Sequence, residues 1–267
     1  MTIVDALILG LVQGLTEFLP VSSSGHLILA REALGLSLAG GLAFDAVLHF
    51  ATALAVIWYF WKDLWGLARS LLGVLKGGSL TQEEVVLLGA LGLGTVPAVI
   101  LGLWWQDSIE TVFRSAELVA WALLIGSLVF VVAELVSKRY SEPKPLTIKK
   151  GVLIGFFQAL ALVPGMSRSG STISGALLLG LSRESTARFA FLLSLPVILG
   201  AGSLKALQLG SESVVTTSVT AILVGSVVAF LSGLLAIHFL IRFLKNHTLY
   251  WFVGYRVVLA SLVFWLL

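Results

Sequence analysis

The chain contains no cysteine, which excludes disulfides and thiolate metal sites alike. It is also poor in charge. Asp, Glu, Lys and Arg make up 12% of its 267 residues, about half the share of roughly 25% usual in soluble domains. Hydrophobic residues reach 58% and mean hydropathy is +1.03, so most of the surface must face lipid. A formal charge of +3 is too small to argue for a nucleic-acid partner and speaks instead to topology. Met1–Leu19 lacks a basic start and a small-residue cleavage site, so no removable signal peptide is expected there. A Gly-x-Ser-x-Gly nucleophile signature is also missing, which argues against an intramembrane serine protease.

What is present is a series of apolar stretches near the length of about 20 residues that a membrane helix needs. Six are continuous, near Leu42–Trp61, Val85–Trp105, Leu118–Val136, Ala187–Leu207, Val219–Ile241 and Leu249–Leu267. Two more are apolar but broken. Ile3–Leu36 is interrupted at Leu19-Pro20-Val21-Ser22-Ser23-Ser24-Gly25, and Gly151–Leu181 at Val163-Pro164-Gly165-Met166-Ser167-Arg168-Ser169-Gly170. Proline stops the first helix of each and serine can cap the second. Each half is too short to cross alone, so each pair is expected to form a re-entrant hairpin. Non-helical backbone at that depth survives only beside protein or a polar cavity.

The two broken stretches resemble one another. Gly10, Gln13, Leu15 and Pro20 precede Ser22, Ser24 and Gly25; Gly155, Gln158, Leu160 and Pro164 precede Ser167, Ser169 and Gly170. Three spans follow each. The fold class expected is therefore an all-α polytopic membrane protein with about six transmembrane helices and two re-entrant helical hairpins in an inverted repeat. It is one membrane domain over 1–267, with halves near 1–136 and 151–267 joined by a loop at 137–150. Three crossings per half invert the second half relative to the first, an arrangement that puts a site where broken helices meet. Lys62, Arg69 and Lys76, then Lys138, Arg139, Lys144, Lys149 and Lys150, then Arg242 and Lys245 mark one face as cytoplasmic. The connections Gln106–Ser115 and Gln208–Ser218 are poor in Lys and Arg and belong to the other face, as do both termini.

Ionisable groups within a membrane cost roughly 2.5–3.5 kcal/mol each at the centre and mark function by default. Glu17, His26, Arg168 and Arg256 lie in or beside apolar stretches. If the breaks meet, a carboxylate, an imidazole and two guanidiniums converge among serine and threonine hydroxyls. Arginine forks and helix N-termini suit phosphate oxygens. His26, three residues after Ser23, lies on the same helical face and could serve as its base. Glu17 could hold a divalent cation or act as a base. The blander readings are a surface carboxylate, a backbone-bonded histidine, a positive-inside anchor and a snorkelling arginine. Asp45 and His49, at helical spacing, read as a structural hydrogen-bonded pair. The eight tryptophans read as an interfacial belt.

The stretch from Gln13 to His26 resembles the first signature of the undecaprenyl-diphosphatase family, also called the bacitracin-resistance family. Pro164-Gly165-Met166-Ser167-Arg168-Ser169-Gly170-Ser171-Thr172 resembles the second, and Tyr255-Arg256 its C-terminal arginine element. The resemblance spans essentially the whole chain. It implies hydrolysis of undecaprenyl diphosphate to the monophosphate and inorganic phosphate, recycling the lipid carrier of peptidoglycan synthesis. It further implies a divalent cation, Mg²⁺ or Ca²⁺, a bacterial inner-membrane location and a site open to the periplasm. Ser23, His26, Glu17 and Arg168 are then expected to be catalytic, with Glu17 also the metal ligand. Arg256, Ser22, Ser167, Ser169, Thr172 and Gln13 are expected to bind substrate. Ser23 and His26 both remain open as nucleophile. The lipid substrate and the bilayer are the expected partners, no nucleic acid is, and whether the chain forms a homodimer is left open. A polyprenyl-phosphate transporter or flippase is the main rival.

Overall fold

A computed structural model describes residues 1–36, 41–105, 115–209 and 218–267, with backbone alone at 204–209. Among the described residues there is no strand. Eleven helices run in order: α1 Ile3–Phe18, α2 Ser23–Ala33, α3 Leu42–Tyr59, α4 Trp61–Val74, α5 Gln82–Trp104, α6 Ala116–Ser137, α7 Ile148–Leu160, α8 Arg168–Leu178, α9 Arg183–Leu209, α10 Val219–Asn246 and α11 Tyr250–Leu266. The protein is an all-α, polytopic membrane protein.

Five helices are long and apolar enough to cross a bilayer: α3, α5, α6, α10 and, over Arg183–Ser203, α9. The sixth expected span, α11, is a shorter apolar helix of 17 residues. Large apolar side chains stay exposed along these helices, among them Trp104, Leu128, Leu235, Val258 and Trp265, as lipid contact requires. Helix α4, which buries none of its residues, stacks Trp61 on Trp65 and sets Arg69 over the Trp65 ring. That pairing of aromatic and basic groups suits the headgroup boundary. The connections Gln106–Ser115 and Gln208–Ser218 lie almost wholly outside the described residues.

Both broken stretches break where proline and serine require. Helix α1 ends at Phe18, two residues before Pro20, and Ser22 caps α2 by accepting from Gly25 N–H. Helix α7 ends at Leu160, and Ser167 caps α8 by accepting from Gly170 N–H. The packing of the hairpins is reciprocal. Helix α1 lies along α10, the middle span of the C-terminal set, and α7 lies along α5, the middle span of the N-terminal set. Helix α6 packs against α8 and α11, closing the bundle.

Glycine makes both hairpin contacts close. A Cβ on Gly10 would stand 2.4 Å from the Gly225 carbonyl oxygen, and one on Gly155 would stand 2.0 Å from that of Gly94. At one end of the bundle the buried Glu134 carboxylate of α6 accepts from both Arg183 Nη atoms, at 2.9 and 2.5 Å, and from Leu249 N–H at 2.7 Å. This ties α6, α9 and the start of α11 together.

Gly155→Ala should force α5 and α7 apart and destabilise the detergent-solubilised protein by about 1–3 kcal/mol. Gly92→Ala, on the same α5 but with nothing within 4 Å of its Cβ, should leave the unfolding temperature unchanged or higher. Thermal unfolding of the two variants checks this, and equal losses would show that the α5–α7 approach is not tight.

Candidate active site

The two breaks interlock. Gly165 N–H in the second donates to Ser22 Oγ in the first at 2.9 Å, and Ser169 Oγ donates to the Leu19 carbonyl at 3.0 Å. Ser22 and Ser167 are the non-glycine residues with positive φ among the described residues, at 77° and 74°. They occupy equivalent cap positions, and such backbone is costly for a side chain with a Cβ.

Arg256 lies between the breaks with no exposure. Its Nη1 donates to the carbonyls of Pro20 and Met166, and its Nη2 to those of Gly165, Leu123 and Ala122. Its Nε donates to Ser127 Oγ and Leu123 O. Phe130 lies under the guanidinium, 4.7 Å from the ring centroid. Gly126 leaves room for this, because a Cβ there would stand 2.2 Å from Nη2. The expectation that Arg256 binds substrate thus meets a guanidinium whose donors are directed at main-chain carbonyls and one serine. Three of those carbonyls, from Pro20, Gly165 and Met166, are freed where the helices break, and those of Ala122 and Leu123 belong to α6.

Glu17, at the last turn of α1, is the centre of the polar cluster. Its Oε1 accepts from Arg168 Nη1 at 2.8 Å. Its Oε2 accepts from Ser23 Oγ at 2.5 Å and from Gln13 Nε2 at 2.9 Å. Gln13 Nε2 also lies 2.8 Å from His49 Nδ1, which is itself 3.3 Å from Glu17 Oε2. Glu17, Ser22, Ser23, Ser24, His49, Ser167 and Arg168 line one wall of a cavity of about 530 Å³. Apart from Asp45, the rest of the lining is mainly apolar, with Ala98, Val99, Leu103, Leu162, Val197 and Ile198.

Not every expected residue joins this cluster. His26 Nδ1 lies 2.7 Å from the Ser22 carbonyl, which only an N–H can satisfy, so Nε2 accepts from Tyr255 O–H, also at 2.7 Å. Both ring nitrogens are engaged, and neither by Ser23. The base within reach of the Ser23 hydroxyl is Glu17, in place of the histidine expected on helical spacing. Thr172 Oγ1 donates to the carbonyls of Arg168 and Ser169, and Ser169 Oγ lies 3.2 Å from Ser167 Oγ. These hydroxyls brace the second break. His49 was read as the partner of Asp45, but Asp45 takes Arg31 Nη2 at 2.5 Å and His49 turns to Gln13 and Glu17. The signal was available: His49 is an ionisable group inside an apolar span, as Glu134 is.

Arg256→Lys should leave several buried carbonyls unpaired, at about 1–3 kcal/mol each. Its unfolding temperature in detergent should fall by more than that of Thr172→Ala. A fall no larger would remove Arg256 from the role of brace.

The sequence pattern of the family described as "Bacitracin resistance protein BacA" matches residues 6–262. An undecaprenyl-diphosphatase of Rubrobacter xylanophilus is 42% identical, covering 98% of this chain and 97% of its own length. Proteins of the same name from Marinobacter nauticus and Thioalkalivibrio sulfidiphilus are 40% and 41% identical, covering 99% and 100% of this chain and 98% and 99% of their own lengths.

Proposed function

The chain belongs to the bacitracin resistance protein BacA family, and from that membership we infer that its cavity hydrolyses undecaprenyl diphosphate to undecaprenyl phosphate and inorganic phosphate. The enzyme is an integral-membrane phosphatase that returns the lipid carrier to cell-wall synthesis. Resistance to bacitracin accompanies that activity in the family's name. Under this reading it resides in the bacterial inner membrane with the cavity open to the periplasmic face, the side opposite the basic loops.

One observation carries the reading. Arg168 from the second break reaches Glu17 beside the first, with Ser23 on the same carboxylate, at the polar wall of a cavity whose remaining lining is mainly apolar. A prenyl diphosphate has the matching halves. Its chain suits the apolar walls, and its head suits an arginine fork with two helix N-termini.

Glu17 is a carboxylate on the cavity wall, the kind of hard oxygen ligand that a divalent cation of the Mg²⁺ or Ca²⁺ type would use, and the ion would share it with the donors of Arg168, Ser23 and Gln13. Such an ion takes one protein carboxylate and fills its shell with phosphate oxygens and water. Among the described residues no three His, Cys, Asp or Glu side chains form a ready-made metal site, so most of the ion's shell would have to come from phosphate oxygens and water. Glu17 would hold it, and when bound it supplies neutralisation of diphosphate charge.

The protein's own groups do the rest. Arg168 grips and orients the terminal phosphate. Ser23 Oγ attacks the terminal phosphorus while its proton passes to Glu17. The bond from that phosphorus to the bridging oxygen breaks, and undecaprenyl phosphate leaves with the proton. Water then cleaves the phosphoserine: Glu17 takes a proton from the water and returns one to Ser23 Oγ as inorganic phosphate departs.

Purified protein in detergent should release phosphate from a prenyl diphosphate. Ser23→Ala and Arg168→Ala should each lower kcat/KM by about 10²–10⁴-fold. No release by the wild type would favour a transporter, and trapped phosphate on His26 would displace Ser23 as nucleophile. Chelation with EDTA should stop turnover, and added Mg²⁺ or Ca²⁺ should restore it; turnover indifferent to EDTA would remove the cation from the reaction.

A further inference from the structure

We propose that His49 is a further substrate-binding residue, donating its Nε2–H to a phosphate oxygen of the diphosphate inside the cavity; the proposal rests on the phosphatase reading above. Its starting point is the orientation of Gln13, which is fully buried. The Gln13 amide nitrogen is 2.9 Å from Glu17 Oε2, and its Oε1 is buried without a partner. Turning the amide over would set that oxygen against the Glu17 carboxylate, so the charge of Glu17 fixes which end faces the cluster.

This orientation determines the histidine. The Gln13 NH₂ group has one hydrogen for Glu17 and one for His49 Nδ1, 2.8 Å away. The 2.8 Å contact to this N–H is the shorter one, against 3.3 Å from Nδ1 to Glu17 Oε2, so His49 Nδ1 accepts and the ring proton sits on Nε2. Thr52 Oγ1 donates to the His49 carbonyl at 2.8 Å, steadying the turn of α3 that carries the ring. The side chain keeps 25% exposure, against 2% for the Glu17 side chain beside it. It lines the cavity together with Ser23 and Arg168. Nε2–H has no protein partner among the described residues. A donor held on one side by a buried amide, and open on the other to a cavity holding an arginine and a serine nucleophile, is built for an anionic oxygen.

Two substitutions separate binding from bracing. Asn at position 49 keeps a polar atom near Nδ1, and so the bond to Gln13, but removes the donor at Nε2. Gln keeps a donor near Nε2 and loses the bond to Gln13. If His49 touches substrate, His49→Asn lowers kcat/KM for a prenyl diphosphate about tenfold or more below His49→Gln, the amount expected of one hydrogen bond to a charged group. If His49 serves only to brace Gln13 and Glu17, the order reverses, and equal losses also overturn the proposal. A measurement on the wild type needs no variant to fold. Adding methylenediphosphonate should shift the His49 Nε2–H signal in ¹H–¹⁵N spectra of the protein and leave those of His238 and His247 in place. An unchanged His49 signal at saturating methylenediphosphonate would overturn the proposal. Phosphate release by the wild type together with either adverse result sinks this inference alone. No release by the wild type sinks the phosphatase reading, and the inference with it.

Discussion

A single buried guanidinium makes the site possible. Breaking two helices inside an apolar bundle frees main-chain carbonyls where there is no water to satisfy them, at a cost of several kcal/mol if they stay unpaired. Arg256 collects three of these, from Pro20, Gly165 and Met166, and anchors itself on α6 through Leu123, Ala122 and Ser127. Its charge is offset by carbonyl dipoles, with no carboxylate bonded to it among the described residues. A lysine has three donors on one atom and cannot reach two loops and a third helix together. The C-terminal helix thus contributes to the catalytic end of the molecule without lining the cavity.

With Arg256 holding the loops, the two carboxylates that line the cavity are each paired with an arginine. Glu17 is matched by Arg168, and Asp45 by Arg31. Neither carboxylate confronts an entering diphosphate bare. Arg168 can turn part of its fork to phosphate because its side chain remains 23% exposed, whereas Arg31 is buried at 3%. The first pair is placed to exchange partners and the second to hold α2 against α3. The carboxylate also receives Ser23 and Gln13, so its loss of Arg168 to substrate leaves it hydrogen-bonded and fixed in place.

How much of this the sequence disclosed depends on how far apart the partners lie along the chain. The breaks, their proline stops and the Ser22 and Ser167 caps follow from residues within four positions of one another, and all were legible. The spans were legible because hydropathy is a local sum, with α11 falling short of the expected length. The convergence of Glu17 with Arg168 followed from supposing that the breaks meet. What escaped was the choice of partner among chemically equivalent options. His26 could have bonded Ser23 three residues away, but its ring bonds Ser22 O and, 229 positions distant, Tyr255. Arg256 bonds carbonyl oxygens from both breaks and α6, partners that no spacing in the sequence discloses. His49 could have bonded Asp45 one turn back, but Arg31 outcompetes it there. Charge and spacing name the candidates, whereas burial and the backbone path decide among them.

The strained serines show why fold and site form together. A serine at positive φ costs of order 1–3 kcal/mol, and both breaks carry one at the same cap position. In that conformation Ser22 Oγ faces its own helix at Gly25 N–H and the opposite loop at Gly165 N–H. Gly165, at φ +103°, can approach because a Cβ there would stand 2.6 Å from Ala122 Cβ. Each loop therefore supplies part of what stabilises the other, and neither is expected to hold its shape alone. Ser23, the proposed nucleophile, directly follows the strained Ser22, so the pairing that closes the fold also aims the hydroxyl at Glu17. The preorganisation that phosphoryl transfer relies on is in this chain a consequence of satisfying two broken backbones.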